Sequence, residues 1–271
     1  MRFTDKIAIV TGAAGTGAGA TGKTVARRFL EEGAKVVLVD LNEESGKATE
    51  KEFVDQGYDV LFVRCDISDE AQVKNVIEKT VEKYGGVDIL VNIAFFRGTT
   101  EAMILDESVD TWKKTMDVNV NGCFYMTKYA IPEMIKRGAS AIVNVTSTAS
   151  ILAEDTNSAY GASKAAVNAF TSYVATQYGR FGLRCNAVLP GLILTPQMDA
   201  YLTQDPAYKA YFDCLKRQCV TQRKFSMGDD IANAVLFMAD PANEMVTGQH
   251  IVVDGGLSIH NPPWADLASG K

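Results

Sequence analysis

Short apolar segments alternate with longer amphipathic segments along nearly the whole chain. The short segments are rich in β-branched residues and apolar at consecutive positions, as in strands buried on both faces. The segments between them have helical length and one apolar face, as at Thr24–Glu32, Glu70–Lys83 and Asp229–Ala239. This alternation predicts an α/β fold, with a doubly wound parallel sheet and helices on both of its faces. The predicted strands are Ile7–Val10, Val36–Val39, Val60–Val63, Ile89–Val91, Ile142–Val145, Cys185–Leu189 and Ile251–Val253.

Residues 1–271 are predicted to form a single domain, because no Pro/Ser-rich linker or break in composition divides them. The rhythm of strands and helices is interrupted at 196–226. The tail 257–271 contains Pro262, Pro263 and Trp264, and we expect Trp264 to be buried because exposing it is unfavourable. The alternative, a tail held against its own subunit without a functional role, stays open.

Composition and charge exclude several classes of protein. The formal net charge is −6 and the pI is about 5.1, which argues against nucleic acid and anionic membranes as partners. The N-terminus has no signal-peptide pattern, and no apolar run reaches the roughly 18 residues needed to span a bilayer. We therefore expect a cytoplasmic protein. The five cysteines are widely spaced and the two histidines lie near the C-terminus, so no metal site is predicted.

A glycine-rich turn follows the first predicted strand. Five glycines lie between Gly12 and Gly22, and Gly17, Gly19 and Gly22 fit the G-x-G-x-x-G pattern. Glycines let the backbone approach a pyrophosphate, and the following helix offers free N–H groups to it. Asp40 ends the next strand, where a carboxylate can bind the adenosine ribose hydroxyls and would repel a 2′-phosphate. The sequence therefore predicts an NAD(H) site.

Tyr160 and Lys164 are separated by one helical turn and would lie on the same helix face. Interconversion of an alcohol and a ketone needs a group that donates and removes a proton. A phenol has a pKa of about 10, and a neighbouring ammonium favours the phenolate. Y-x-x-x-K is common by chance, so this pair alone does not distinguish a catalytic site from two unrelated surface residues.

The order of motifs resembles that of the short-chain dehydrogenase/reductase family over nearly the whole chain. The resemblance implies one dinucleotide-binding and catalytic domain over 1–271, with a Rossmann-type sheet of about seven parallel strands and a substrate lid at 196–226. It also implies, usually, a homotetramer; a homodimer stays open. The matching segments are Thr11–Gly12, the acidic end of the second strand, Cys65–Ile67, Val91–Ala94, Asp117–Asn119, Ile142–Ser147, Tyr160 with Lys164, Pro190–Gly191 with Thr195, and Val253–Gly256.

The resemblance also implies roles for individual residues. Tyr160 would be the general acid and base, Ser147 would hydrogen-bond the substrate oxygen, and Lys164 would bind the nicotinamide ribose and lower the Tyr160 pKa. Asn119 would hold a water that links Lys164 to solvent. The remaining predicted cofactor contacts are Asp66 and Ile67 to adenine, Asn92 to the adenosine-side ribose, Ile193 and Thr195 to the carboxamide, and Gly12, Thr21, Gly22 and Ala94 along the turn and the fourth strand.

Two departures from the family pattern affect the expected site. Counting back from Gly33 places the last glycine of the turn at Gly22, which makes the turn about four residues longer than usual. The family's N-N-A-G is replaced by Asn92-Ile93-Ala94-Phe95, followed by Phe96. The two phenylalanines are expected to narrow the space beside the nicotinamide.

The substrate stays open at this level. Phe95, Phe96 and the apolar side chains of 196–226 suggest a pocket for a cyclic or hydroxysteroid-like alcohol, and ordinary packing of lid helices would explain the same residues. Sugars, polyols and 3-oxoacyl thioesters stay open as alternative substrates. Two alternative functions also stay open for this sequence, a nucleotide-sugar epimerase or dehydratase and a non-catalytic NAD sensor. The apolar lid residues are Met198, Tyr201, Leu202, Tyr208, Tyr211, Phe212 and Leu215.

Overall fold

Seven parallel strands form one sheet in the order β3-β2-β1-β4-β5-β6-β7. The computed structural model describes residues 1–15, 19–98, 102–195, 204, 206–223 and 225–259. The Rossmann-type arrangement predicted from the sequence is confirmed, and each predicted strand lies within an observed one. The strands are β1 (Ile7–Thr11), β2 (Lys35–Asp40), β3 (Val60–Arg64), β4 (Ile89–Asn92), β5 (Ser140–Val145), β6 (Leu183–Pro190) and β7 (His250–Val253).

The helices lie between the strands along the chain. They are α1 (Gly19–Glu31), α2 (Glu43–Asp55), α3 (Glu70–Tyr84), α4 (Val109–Met116), α5 (Gly122–Arg137), α6 (Ser158–Tyr178), α7 (Pro206–Gln218) and α8 (Gly228–Ala239). Local sequence explains several ends: the Asp69 carboxylate accepts from Ala71 N and Gln72 N at the start of α3, and Gly85 ends it with a φ of 85°. The helix predicted from Thr24 begins five residues earlier, at Gly19.

Side chains on both faces of the sheet are buried in two apolar layers. In β1, Ala8 and Val10 pack with α1 and α8, whereas Ile9 faces the layer formed by α3, α5 and α6. The central strands β1, β4, β5 and β6 are buried at every position, and the edge strands β3 and β7 are only partly buried. Burial on both faces of the central strands explains why their apolar residues are consecutive and do not alternate with polar ones.

The strand order reverses at β1, which pairs with β2 on one side and β4 on the other. In doubly wound sheets, ligands bind at the carboxyl ends of the strands beside this switch point. No helix within the described ranges is long and apolar enough to span a bilayer. Gly17, most of the predicted lid before Pro206, and Trp264 lie outside the described residues.

Candidate active site

A cleft of about 1010 Å³ opens at the carboxyl ends of β1 to β4, beside the switch point. Each of these strands contributes a residue or a following loop to its wall. The structure therefore brings together five predicted cofactor-binding residues from the ends of four different strands: Gly12, Asp40, Asp66, Ile67 and Ala94. Phe95, Phe96 and Lys114 line the same cleft.

Two glycines hold the turn and α1 close to the end of β1. Gly12 has a φ of +70°, and a Cβ there would lie 3.0 Å from the backbone of Ala94. A Cβ on Gly22 would lie 2.1 Å from the Gly12 carbonyl oxygen. Gly22 thus serves the close packing of helix on strand, while Thr21 beside it is buried. The intervening residues 16–18 lie outside the described part.

Asp40 lies at the carboxyl end of β2, half-buried at the cleft wall. Its Oδ2 accepts a hydrogen bond from Ala14 N at 2.9 Å and its Oδ1 accepts one from Asn42 N at 3.0 Å. The carboxylate therefore fixes the first residues of the glycine turn and keeps a negative charge at the cleft.

Two of the predicted contacts to the adenosine half, Asp66 and Ile67, line the cleft, and the third, Asn92, does not. The Asp66 carboxylate accepts hydrogen bonds from the backbone and hydroxyl of Ser68, and Ile67 is buried. Asn92 is not among the cleft-lining residues; its amide nitrogen donates to Asn144 Oδ1 at 2.9 Å inside the protein. The Asn92 Oδ1 atom is buried without a protein partner. Its predicted contact with a ribose stays a prediction.

Tyr160 lies in the first turn of α6 and hydrogen-bonds with the Ser147 side chain. Ser147 directly follows β5, and its Oγ accepts a hydrogen bond from Ala149 N at 3.1 Å, which orients the hydroxyl. The pKa of Tyr160 is raised overall, mainly by burial, and the Ser147 hydrogen bond and the positive charge of Arg97 oppose this rise. The predicted pair of Ser147 and Tyr160 is therefore assembled by the fold. The predicted lowering of this pKa by Lys164 stays a prediction.

Lys164 is buried one helical turn after Tyr160. Its Nζ donates to the Val145 carbonyl oxygen at 3.0 Å and lies 5.5 Å from the centre of the Tyr160 ring. Burial lowers the pKa of Lys164 to about 8, so the side chain still carries its charge at neutral pH.

Asn119 lies in a π-helical turn, Asp117–Asn121, that joins α4 to α5. Such turns often occur at functional sites because they displace side chains from the helical register. The Asn119 amide forms hydrogen bonds with both backbone groups of Phe96 and donates to Ser163 Oγ at 2.9 Å. Asn119 thereby ties the loop after β4 to α6. The water predicted beside it stays a prediction.

Arg97 and Glu154 were not singled out from the sequence, yet the structure places both beside Tyr160. The Arg97 guanidinium carbon lies 5.6 Å from the centre of the Tyr160 ring, and Arg97 Nη2 lies 3.5 Å from Glu154 Oε2. The Phe95 ring, which lines the cleft, lies 5.8 Å from that of Tyr160. The sequence marks this segment as unusual, because Phe95 stands where the family has a glycine. That replacement gives no indication of the charged pair.

Ile193 and Thr195 lie beyond β6, where Ile193 bridges to Ser226 and Leu194 N donates to Ser226 O at 2.9 Å. This contact fixes the start of the predicted lid. Within the described part of the lid, Phe212 on α7 is buried and its ring lies 6.4 Å from that of Phe225. Phe212 therefore packs against a neighbouring lid residue, as the alternative of ordinary packing expects.

Comparisons with known proteins agree with this geometry. The family model described as Enoyl-(Acyl carrier protein) reductase matches residues 17–258. The chain is 38% identical over 262 residues to 7alpha-hydroxysteroid dehydrogenase of Bacteroides fragilis, covering 96% of this chain and 97% of the relative. It is 38% identical over 255 residues to 2-(R)-hydroxypropyl-CoM dehydrogenase of Xanthobacter autotrophicus, covering 93% and 98%.

A solved structure has a similar fold. The gluconate 5-dehydrogenase of Burkholderia cenocepacia, in complex with NADP and tartrate, aligns with a TM-score of 0.84 and 32% identity. The alignment covers 95% of this chain and 97% of that structure.

Proposed function

Because this chain belongs to the short-chain dehydrogenase/reductase family of oxidoreductases, we propose that it interconverts a secondary alcohol and a ketone with NAD(H). The observation that carries this proposal is the grouping of Ser147, Tyr160 and Lys164 beside the switch-point cleft. A proton-handling phenol, a hydrogen-bonding hydroxyl and a buried ammonium are the groups that this reaction needs.

The cleft has the features that a nicotinamide dinucleotide requires. It lies where doubly wound sheets bind dinucleotides, and Gly12 and Gly22 leave the space that a closely approaching backbone needs. Asp40, Asp66 and Ile67 would hold the adenosine half, and Lys164, Ile193 and Thr195 would hold the nicotinamide half. When bound, the nicotinamide ring supplies the hydride acceptor or donor.

NAD is proposed over NADP because of the charge on Asp40. A carboxylate at the end of β2 favours ribose hydroxyls and repels a 2′-phosphate. Leu41, which follows it, is exposed and uncharged, so it offers no cation for such a phosphate. The similar solved structure is in complex with NADP, so the fold by itself does not exclude a 2′-phosphate, and the proposed preference rests on these residues.

In the direction of oxidation, Tyr160 as phenolate removes the proton from the substrate hydroxyl while hydride leaves the carbinol carbon. Ser147 holds the substrate oxygen next to the phenol. The Lys164 ammonium stabilises the phenolate, which lowers the cost of forming it inside the protein. Asn119 fixes the Phe96 backbone and α6 in place, and we propose that it also orders a water through which the proton reaches solvent.

The proposed substrate class is a cyclic secondary alcohol. Phe95 is 37% exposed and presents its ring beside Tyr160, so it offers an apolar surface to the body of a substrate. The relative named 7alpha-hydroxysteroid dehydrogenase, similar over nearly the full length, supports a cyclic alcohol. The relative named 2-(R)-hydroxypropyl-CoM dehydrogenase shows that the family also includes acyclic substrates.

The test is an assay of purified protein with NAD⁺ or NADP⁺ and a panel of hydroxysteroids, small cyclic alcohols, sugars and polyols. Formation of NADH with a cyclic secondary alcohol supports the proposal. Product without net NADH would indicate an epimerase. NADH binding with no turnover of any alcohol or ketone would indicate a sensor and overturn the proposal.

A further inference from the structure

A charged pair spans the loops on either side of Tyr160. Arg97 comes from the loop after β4 and Glu154 from the loop that follows Ser147, and their closest atoms are 3.5 Å apart. The Arg97 guanidinium lies over the Tyr160 ring, and its central carbon is 5.6 Å from the centre of that ring. A substrate whose hydroxyl meets the phenol would therefore have its neighbouring groups close to Arg97.

The pair has the properties of one that can exchange partners. The Arg97 and Glu154 side chains are 36% and 32% exposed. Ion pairs that are this accessible to solvent contribute little to stability, because water competes for both charges. The separation of 3.5 Å is also longer than the 2.6 Å of the Lys23–Glu52 pair on the surface. A carboxylate on a bound ligand could therefore take the place of the Glu154 carboxylate.

The surroundings favour an anion at this position. The protein carries a formal net charge of −6, so a fixed local cation favours the approach of an anionic substrate to the site. The Tyr160 ring covers one side of the guanidinium, whose central carbon lies 5.6 Å from the ring centre, so that side is shielded from solvent. Arginine also binds carboxylates in a bidentate manner.

We propose that Arg97 binds a carboxylate of the substrate and that Glu154 holds the guanidinium when the substrate is absent. The substrate would then be a hydroxy acid, with its carboxylate a few bonds from the carbinol carbon. This inference rests on the proposed function, since it assumes that the reacting carbon faces Tyr160. Arg97 acts as a specificity-determining residue, while Ser147, Tyr160 and Lys164 perform the alcohol chemistry.

Binding measurements test this inference separately from turnover. The probes are cyclohexanecarboxylate and cyclohexanecarboxamide, which have the same ring and differ in charge, titrated by calorimetry into the protein saturated with NADH. The wild type should bind the carboxylate about tenfold or more tightly than the carboxamide. The matching substrate pair, 3-hydroxycyclohexanecarboxylate and its carboxamide, should show the same preference in KM, with a smaller effect on kcat.

Variants of the two partners should act in opposite directions. Arg97→Gln should abolish the preference for the carboxylate, and Arg97→Lys should restore part of it because the charge returns. Glu154→Gln should strengthen carboxylate binding several-fold, since the competing charge is removed while a hydrogen-bond acceptor is kept. Thermal unfolding of each variant checks that it is folded.

If Arg97 and Glu154 form an ion pair with only a structural role, the binding measurements give a different result. If Arg97→Gln and Glu154→Gln weaken carboxylate binding to the same extent, or if the wild type binds both probes equally or neither, the inference is wrong. If the neutral carboxamide alcohol is turned over while no charge preference exists, the proposed function stands and only this inference fails. If the charge preference is present but no alcohol is oxidised, the proposed function fails instead.

Discussion

Gly22 on α1 lies against Gly12 at the end of β1 so closely that a Cβ on Gly22 would be 2.1 Å from the Gly12 carbonyl oxygen. The contact brings the N-terminal part of α1 to the carboxyl end of the sheet, where the cleft opens. Only the absence of a side chain at residue 22 permits this approach, so the position of the helix depends on one residue.

Gly22→Ala should therefore destabilise the protein by about 1–3 kcal/mol, because helix and strand must separate to admit a methyl group. It should also weaken NADH binding. Urea unfolding and fluorescence titration measure the two effects. Gly179→Ala is the matched control, since a Cβ there meets nothing within 4 Å. Equal stability of both variants would contradict this account of the turn.

Asp40→Ala should reduce the preference for NAD over NADP by a factor of ten or more in kcat/KM, or about 1.4 kcal/mol. Removing the carboxylate ends its repulsion of a 2′-phosphate, and the ratio of the two cofactors is unaffected by any general loss of activity. Asp55→Ala, at an exposed position of α2, should leave the ratio unchanged. A wild-type preference for NADP would show that Asp40 does not select the cofactor.

Tyr160→Phe should lower kcat to a few per cent of wild type or less while NADH binding is retained, because only the proton-transferring hydroxyl is lost. Steady-state kinetics and NADH fluorescence measure the two quantities. Tyr58→Phe is the control, since Tyr58 lies just before β3 and does not line the cleft. Substantial activity in Tyr160→Phe would require another group to handle the proton.

The buried charge of Lys164 should make stability depend on pH. Burial lowers its pKa from an ordinary value of 10.5 to about 8, so between these values the unfolded chain binds the proton and the folded chain does not. The contribution of Lys164 to the free energy of unfolding therefore increases with pH across this range, by up to about 3 kcal/mol. Urea unfolding measures the free energy of unfolding of wild type and of Lys164→Met. The wild type should gain stability relative to Lys164→Met between about pH 7.5 and about pH 10. A difference independent of pH would contradict it.

The protein should form a homotetramer, or a homodimer, through α5 and α6. Phe124 on α5 is 42% exposed and its ring lies 6.2 Å from that of Phe170 on α6, and Tyr173 is exposed nearby on α6. Exposed aromatic side chains on adjoining helices favour a symmetric contact between copies. Light scattering at micromolar concentration should show the oligomer, and Tyr173→Glu should weaken it. A monomeric wild type would refute the prediction.

The sequence by itself determined the sheet, the helices between the strands and the acid–base pair. Consecutive apolar residues appear wherever a strand is covered on both faces, so the strands could be located from the pattern of apolar residues alone. Tyr160 and Lys164 are four residues apart on one helix, and the helical repeat places them together without help from the rest of the fold. The turn glycines were recognisable for a similar reason, since their spacing reflects local backbone geometry.

Only the tertiary structure decided which distant side chains meet. The Asn92 amide nitrogen donates to Asn144 on the neighbouring strand, a contact set by the register of β4 and β5, while its predicted contact with a ribose stays a prediction. Arg97 and Glu154 are separated by 57 positions, and they meet over Tyr160 because the loops after β4 and β5 leave the same edge of the sheet. Such contacts depend on how strands are ordered and paired, and local sequence does not encode that order.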